Sequence, residues 1–298
     1  MINTEKIFGI IPYLVSPTDN HGNINTIELH KLCKWLKEKG VHGVAALGST
    51  GEFAYLSWED RFLVAKTVIE AVGDNLPVLL GVSASTVREA VRQSKEMENL
   101  GCHGINLAID TYTEVSFEGV VEYYKEVASS VSVPIVVYIN KSLSNYSLEA
   151  LFAKLSTLEN IKYIKDATGN TGQLLTLINN YSNELTVFSA SAHVPLSVFL
   201  LGGGGWMAGP ACLLPSASLA LYQLAQRGEW EKATKLQKKI WAVNNLFLKY
   251  DPAAVIKYGL NHLAFNVGDP LCPGSKLPDD ATKELLSVID TIREEEKG

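Results

Sequence analysis

The sequence predicts an α/β protein, a closed (β/α)8 barrel of parallel strands with a C-terminal helical extension. Short apolar segments alternate eight times with segments of helical period. The apolar segments are nearly continuous, which is typical of parallel strands whose two faces are both covered. No G-x-G-x-x-G motif follows the first strand, so we prefer the closed barrel to the alternative, an open doubly wound sheet.

The predicted elements follow one another in strand–helix order. The strands are rich in apolar and β-branched residues and cover 8–15, 41–47, 77–82, 102–109, 133–139, 161–167 and 185–190, with the eighth inside 202–209. The helices cover 26–39, 58–72, 87–100, 117–130, 148–158, 174–181, 194–201 and 214–226. Ser57 is the expected N-cap of the second helix, while Gly40 and Gly101 end the first and third.

The pattern changes after residue 228. Only helical segments follow, at 230–250, 253–263 and 280–293. A tail without strands cannot continue a strand–helix repeat. We therefore divide the chain into a barrel that carries the active site, residues 1–228, and a C-terminal helical extension, residues 229–298.

Composition narrows the class of protein. The 298 residues are 47% hydrophobic and 19% charged, which is typical of a soluble protein with a large core. A net charge of −6 does not indicate a basic surface that would bind nucleic acid or an anionic membrane. We expect no transmembrane helix and no signal peptide. Four widely spaced cysteines indicate free thiols in the cytoplasm, and scattered histidines argue against a metal site.

Lys165 is the first candidate for chemistry, because reacting groups in such barrels lie at the carboxyl ends of strands. It ends the sixth strand in the stretch YIKDATG, residues 163–169, whereas Lys162 can point to water. A free lysine has a pKa of about 10.4, and burial lowers that pKa. A neutral amine can then form a Schiff base with a ketone. The alternatives are a lysine that extends to solvent or pairs with Asp166.

Tyr138 ends the fifth strand, which neighbours the sixth in a parallel barrel. A phenol close to the amine of Lys165 could transfer protons while the Schiff base forms. The alternative is a core tyrosine whose hydroxyl binds a backbone carbonyl.

The stretch GSTGE, residues 48–52, follows the second strand. Gly48 and Gly51 permit unusual backbone conformations, and the hydroxyls of Ser49 and Thr50 together with exposed N–H groups could bind a carboxylate. Its spacing does not match a nucleotide-binding P-loop, and a simple tight turn is the alternative. We interpret Glu52 as a structural hydrogen-bond partner rather than an acid.

Three further side chains at strand ends complete the predicted substrate-binding set with Ser49, Thr50 and Gly51, namely Thr168, Ser189 and Met207. Two other stretches are better explained by packing. We interpret GGGG, residues 202–205, as close helix–strand packing, and KYDPAAVIKYGL, residues 249–260, as a helix with solvated lysines.

Together these motifs resemble the family of dihydrodipicolinate synthase and N-acetylneuraminate lyase, which are Schiff-base aldolases of 2-oxo acids. The resemblance covers nearly the whole chain. The matching stretches are GIIPYLVSPTDNHGNIN at the first strand, GSTGE after the second, VVYIN on the fifth, YIKDATGN on the sixth, and the helical tail.

The resemblance implies a role for each matching residue. Lys165 matches the Schiff-base lysine, and Tyr138 matches the tyrosine that shuttles protons and contacts the substrate carboxylate. Ser49 and Thr50 match the hydroxyl pair of the carboxylate-binding loop, where Thr50 relays protons with Tyr138. The family also implies a homo-oligomer, a dimer or tetramer, and no metal or organic cofactor.

The sequence departs from the family pattern in three loops. The synthases carry an arginine after the fifth-strand tyrosine, and here the nearest cation is Lys141. They carry a tyrosine pair after the fourth strand that serves the dimer partner, and here only Tyr112 could serve. The acidic pair that sialic-acid lyases carry after the seventh strand is Ser191-Ala192. Leucine cannot replace an arginine that binds a carboxylate by two hydrogen bonds.

We therefore predict a Schiff-base-forming lyase of aldolase or dehydratase type, acting on pyruvate or a related small 2-oxo acid. The alternatives are dihydrodipicolinate synthase itself, with another cation in place of the arginine, and a non-catalytic sensor that binds 2-oxo acids.

Overall fold

A parallel eight-stranded sheet forms the centre of the protein. The computed structural model describes residues 7–143, 145–191 and 194–295. The strands of this part of the chain are β1 Gly9–Pro12, β2 Val44–Ala46, β3 Val78–Ala84, β4 Gly104–Ile109, β5 Ile135–Ile139, β6 Ile161–Asp166, β7 Thr186–Ser189 and β8 Gly205–Ala208. They pair in the order β1-β8-β7-β6-β5-β4-β3-β2.

The sheet closes on itself between its first two strands. Tyr13 forms a parallel bridge with Ala45, and the N–H of Leu14 donates to the carbonyl of Ala45 at 2.8 Å. The architecture is a (β/α)8 TIM barrel, which confirms the predicted fold class.

Helices cover the outside of the barrel and form the tail. The barrel helices are α1 Thr26–Lys39, α2 Trp58–Val72, α3 Val87–Asn99, α4 Phe117–Ser130, α5 Leu148–Leu155, α6 Thr171–Tyr181, α7 Pro195–Leu200, α8 Pro210–Leu213 and α9 Pro215–Gln226. The extension contains α10 Trp230–Lys249, α11 Pro252–His262 and α12 Asp279–Glu295. The side chain of Ser57 caps α2 by accepting from the N–H of Asp60, as predicted.

Two boundaries differ from the sequence prediction for identifiable reasons. The first strand was expected over residues 8–15, but β1 ends at Pro12 and the apolar run continues as buried loop. The eighth helix is preceded by the short helix α8, since Pro210 and Pro215 each occupy the first turn of a helix. Proline suits that position because it has no N–H to satisfy there.

The glycine run at 202–205 lies at the amino end of β8, away from the carboxyl ends of the strands. A Cβ on Gly204 would lie 2.2 Å from Cγ2 of Thr186, and one on Gly205 would lie 2.0 Å from the carbonyl oxygen of Gly9. These contacts support the packing interpretation of the GGGG stretch.

The described residues also bear on membranes, metals and thiols. In the part of the chain that the structure describes, no helix combines the length and apolar character needed to cross a bilayer. No group of three or more His, Cys, Asp or Glu side chains in the described part is arranged to hold a metal ion. All four cysteines are free thiols, of which three are buried and Cys272 is exposed.

Candidate active site

Two of the predicted residues meet at the carboxyl ends of neighbouring strands. In the pairing of β5 with β6, Tyr138 lies directly opposite Lys165. Residues paired in this way point their side chains to the same face of a sheet. Nζ of Lys165 lies 4.2 Å from the centre of the Tyr138 ring.

Lys165 is buried, with 6% of its surface exposed. Its Nζ lies 3.5 Å from the centre of a second ring, that of Tyr13, and within the described residues no carboxylate forms an ion pair with it. Burial lowers the pKa of Lys165 to about 7. Aromatic faces attract the ammonium form, but in this site the loss of hydration dominates.

Asp166 does not pair with this amine, which removes one alternative for Lys165. Oδ1 of Asp166 accepts a hydrogen bond from the N–H of Thr168 at 2.8 Å. The lysine therefore faces the cavity between two phenol rings, in the environment that favours a nucleophilic amine.

Tyr138 contacts the GSTGE turn. Its phenol forms a hydrogen bond with the side chain of Ser49, which lowers the pKa of Tyr138, while burial raises that pKa by more. The phenol therefore keeps its proton at neutral pH and can donate it. Thr50 is also buried and lies beside Gly209, on which a Cβ would sit 2.8 Å from Oγ1 of Thr50.

The GSTGE turn is a short 3-10 helix, Ser49–Gly51. The N–H of Gly51 donates to the carbonyl of Gly48 at 3.0 Å, and its carbonyl accepts from Oγ of Ser16 at 2.7 Å. Both polar backbone groups of Gly51 therefore maintain the turn, whereas Ser49 and Thr50 line the cavities.

Two cavities, of about 250 and 400 Å3, meet at Ser49, Tyr138 and Lys165. Polar side chains from the strands and loops of the barrel line the smaller cavity, namely Ser83, Asn106, Asp110 and Asn140. The larger cavity is lined by barrel residues and by the extension, including Thr50, Ser191, Met207, Phe247 and Tyr250. Grooves of about 560 and 520 Å3 lie at the opposite end of the barrel, at the amino ends of strands, where barrels of this type carry no catalytic groups.

Comparison with known proteins places the chain in a family. The model of the dihydrodipicolinate synthetase family matches residues 6–292. The chain belongs to this family. Its members are class I aldolase-type lyases, so the chain is identified as an enzyme of the lysine Schiff-base class.

Relatives of the family resemble the chain over almost its whole length. A 4-hydroxy-tetrahydrodipicolinate synthase of Methanosphaerula palustris is 31% identical over 288 residues, or 95% of this chain and 98% of the relative. The structure of a chloride-inhibited dihydrodipicolinate synthase from Acinetobacter baumannii, complexed with pyruvate, has a TM-score of 0.89 at 26% identity and covers 96% of this chain and 98% of that one. YagE, a family member from a prophage of E. coli K12 in complex with pyruvate, has a TM-score of 0.88 at 26% identity, with the same coverage.

Three residues of the predicted substrate-binding set, Gly51, Thr168 and Ser189, line neither cavity. Thr168 is exposed, and its hydroxyl accepts from the N–H of Asn170 and from Nε2 of Gln173, each at 3.2 Å, beside the start of α6. Ser189 is fully buried and donates to the carbonyl of Gly205 at 3.3 Å, in the neighbouring strand. Met207 does line the larger cavity.

Tyr13 and the contribution of the extension to the site were not predicted from the sequence. Tyr13 follows β1 at its carboxyl end, so the rule that identified Lys165 and Tyr138 could have found it as well. Phe247 and Tyr250 belong to the helical tail, and no strand-end signal marks them.

Glu52 ties the turn to the extension. Its carboxylate forms an ion pair with Lys257 of α11 at 2.6 Å, with the two side chains 2% and 0% exposed. Oε1 of Glu52 also accepts from the N–H of Leu271 at 2.6 Å, and Nζ of Lys257 donates to the carbonyl of Asp269 at 2.9 Å. The structural role expected for Glu52 fits these contacts. The interpretation of Lys257 as a solvated lysine is wrong, because the ion pair lets it be buried.

The three loops that depart from the family pattern differ in what the structure describes. Lys141 begins a short 3-10 turn, Lys141–Leu143, but its side chain lies outside the described part. Tyr112 is fully exposed on the surface after β4. Ser191 lines the larger cavity, whereas Ala192 lies outside the described residues.

Proposed function

We propose that the protein forms a Schiff base between Lys165 and pyruvate or a related small 2-oxo acid, and then makes or breaks a bond next to it. The observation that carries the proposal is the amine of Lys165, which is buried between two phenol rings at the junction of two cavities. Two solved family structures of similar fold contain pyruvate, which supports the choice of substrate.

The chemistry follows from the positions of the side chains. The lone pair of Nζ attacks the carbonyl carbon of the 2-oxo acid, and the carbonyl oxygen gains a proton from Tyr138. That oxygen takes a second proton from Nζ and leaves as water, so that a protonated imine remains. The imine accepts the electron pair of the neighbouring C–H or C–C bond, so that an enamine forms. We expect Ser49 and Thr50 to bind the substrate carboxylate, and Thr50 to relay to Tyr138 the proton that is released when the neighbouring C–H bond breaks. The hydrogen bond between Ser49 and Tyr138 orients the phenol.

Reductive trapping tests this proposal. Borohydride added with millimolar pyruvate should leave a stable adduct on Lys165, detected by peptide mass analysis. Lys162 lies on the same strand but is exposed, so it serves as an internal control for non-specific reaction. An adduct missing from Lys165, or spread equally over both lysines, would contradict the proposal.

The second candidate is 4-hydroxy-tetrahydrodipicolinate synthase, because relatives of that name are about 30% identical over most of the chain. That reaction needs a cation for the carboxylate of the second substrate. The described side chains that line the smaller cavity include the carboxylate of Asp110 and no arginine. A coupled assay with pyruvate and aspartate semialdehyde distinguishes the two candidates. Turnover would identify the synthase, whereas no turnover together with an adduct on Lys165 would favour an enzyme with a different second substrate.

A third candidate is a sensor that binds 2-oxo acids without turnover. A panel of 2-oxo acids distinguishes it, because a sensor binds pyruvate but neither cleaves nor dehydrates any member. The lowered pKa of Lys165 favours catalysis, since binding alone does not need a neutral amine.

We also propose that the protein is cytoplasmic and that it forms a homo-oligomer. Light scattering of the purified protein tests the oligomeric state. The fully exposed Tyr112 is the side chain that supports a contact between subunits, since large aromatic residues are enriched at such interfaces. A monomer at micromolar concentration would contradict this proposal.

A further inference from the structure

Tyr13 covers Lys165 more closely than Tyr138 does. The centre of its ring lies 3.5 Å from Nζ of Lys165, against 4.2 Å for the ring of Tyr138. Tyr13 itself is 2% exposed and lines the larger cavity. A face of the amine that would otherwise meet water therefore meets an aromatic surface.

The backbone of Tyr13 is held by strands on both sides. Its N–H donates to the carbonyl of Ala208 in β8 at 3.2 Å, and Tyr13 bridges Ala45 in β2. This residue completes the closure of the barrel, so its position is set by the fold. The side chain starts from a fixed point close to the end of β6.

The ring of Tyr13 lies against the turn that carries Ser49 and Thr50. A Cβ on Gly48 would lie 2.5 Å from Cδ1 of Tyr13 and 2.7 Å from Cε1, which is too close for any side chain. Glycine at position 48 thus lets the ring fit between the turn and Lys165.

The hydroxyl of Tyr13 does not explain its presence. Its oxygen is buried and has no hydrogen-bond partner among the described residues. Burial raises the pKa of Tyr13 well above its usual value, so the phenol is neutral and cannot act as a base at physiological pH. The contact that Tyr13 makes with the catalytic amine is through its ring.

We propose that Tyr13 is a positioning residue whose ring keeps water away from the amine of Lys165, so that the amine is unprotonated when the 2-oxo acid arrives. The inference rests on the proposed function, because only a nucleophilic lysine needs this protection. A protonated amine has no lone pair and cannot form the bond to the carbonyl carbon. Water at the amine would stabilise its charge and slow the reaction at neutral pH.

Among the described residues around Lys165, no charged group offers another cause for the neutral amine. The titratable groups that line the two cavities beside it are Tyr13 after β1, Asp110 after β4, Tyr138 on β5 and Tyr250 after α10. The carboxylate of Asp110 would favour the charged form of the lysine. Exclusion of water is therefore the effect that removing the Tyr13 ring would reverse.

The expected change is a shift of the pH dependence of imine formation. Each unit by which the pKa of an amine rises above the working pH lowers its neutral fraction about tenfold. In Tyr13→Ala we expect trapping at pH 7 to fall at least about tenfold and to recover towards the wild-type rate by about pH 10. A loss of packing alone would lower trapping by one factor at every pH.

The experiment measures the rate of borohydride trapping with pyruvate from pH 6 to pH 10, as the ratio of each full-length variant to wild type. The ratio cancels the pH dependence of the reagent. Tyr13→Phe, which retains the ring, should restore the wild-type profile. Tyr13→Leu retains most of the volume and provides a second variant, with an intermediate shift, if the alanine variant is unfolded by circular dichroism. Tyr124→Phe, a buried tyrosine of α4 that lines neither cavity, should match wild type.

Two outcomes would overturn the inference. One is a folded Tyr13→Ala or Tyr13→Leu protein with the wild-type profile, and the other is a loss equal at all pH values. Failure of the proposed function would look different, because wild type itself would then give no adduct on Lys165.

Discussion

Replacing Lys165 with methionine should stabilise the protein at neutral pH, by an amount that shrinks as the pH rises. Burial lowers the pKa of Lys165 from 10.5 to about 7, so between these values the folded state binds fewer protons than the unfolded state. Stability therefore rises with pH across this window and is lowest below pH 7. With these two pKa values, burial of Lys165 lowers the free energy of unfolding by about 4 kcal/mol at pH 7 and by about 2 kcal/mol at pH 9.

Methionine is unbranched, apolar and similar in length, and it does not titrate. Lys165→Met should therefore have a higher free energy of unfolding than wild type at both pH values. This difference should be about 2 kcal/mol larger at pH 7 than at pH 9. Urea unfolding at matched protein concentration measures both differences. Lys162→Met, at an exposed position on the same strand, should show no such pH dependence. If the difference in the free energy of unfolding between Lys165→Met and wild type is equal at the two pH values, burial does not lower the pKa of Lys165 as argued.

Four further substitutions address other parts of the site. Tyr138→Phe should lower turnover by about a hundredfold or more, because the ring remains while the proton donor is lost, and chemical denaturation should find its stability nearly unchanged. Glu52→Gln and Lys257→Met should each lower the free energy of unfolding by about 3–5 kcal/mol, because each leaves one buried charge unpaired. The double variant should lose less than the sum of the two, and strict additivity would contradict the ion pair. Gly48→Ala should destabilise the protein by about 1–3 kcal/mol and slow pyruvate trapping, since its Cβ would displace the ring of Tyr13; wild-type trapping rates would contradict that contact.

The centre of the site could be predicted because it depends on the order of elements along the chain. Alternation of strands and helices predicts a parallel barrel, and a parallel barrel places the ends of consecutive strands side by side. Tyr138 and Lys165 each occupy a strand end, so their pairing follows from counting elements. The register observed between β5 and β6 agrees with that prediction.

The parts that could not be predicted depend on packing between distant segments. Lys257 lies in a helix whose sequence resembles a solvated one, and only its contact with Glu52, far away in the chain, shows that it is buried. Thr168 and Ser189 stand at strand ends like Tyr138 and Lys165, but local hydrogen bonds direct their hydroxyls elsewhere. Gly51 likewise uses its N–H within its own turn, and its carbonyl accepts from the hydroxyl of Ser16.

The C-terminal extension reaches the site in two ways. Phe247 and Tyr250 form part of the wall of the larger cavity, and Lys257 anchors the turn that holds Ser49. The strands thus hold Lys165 and Tyr138, while the tail forms part of the wall of the larger cavity. Mutations in the tail can reshape the space available to a substrate while the lysine and its phenol stay in place, so the tail is where variants with altered selectivity should be sought first.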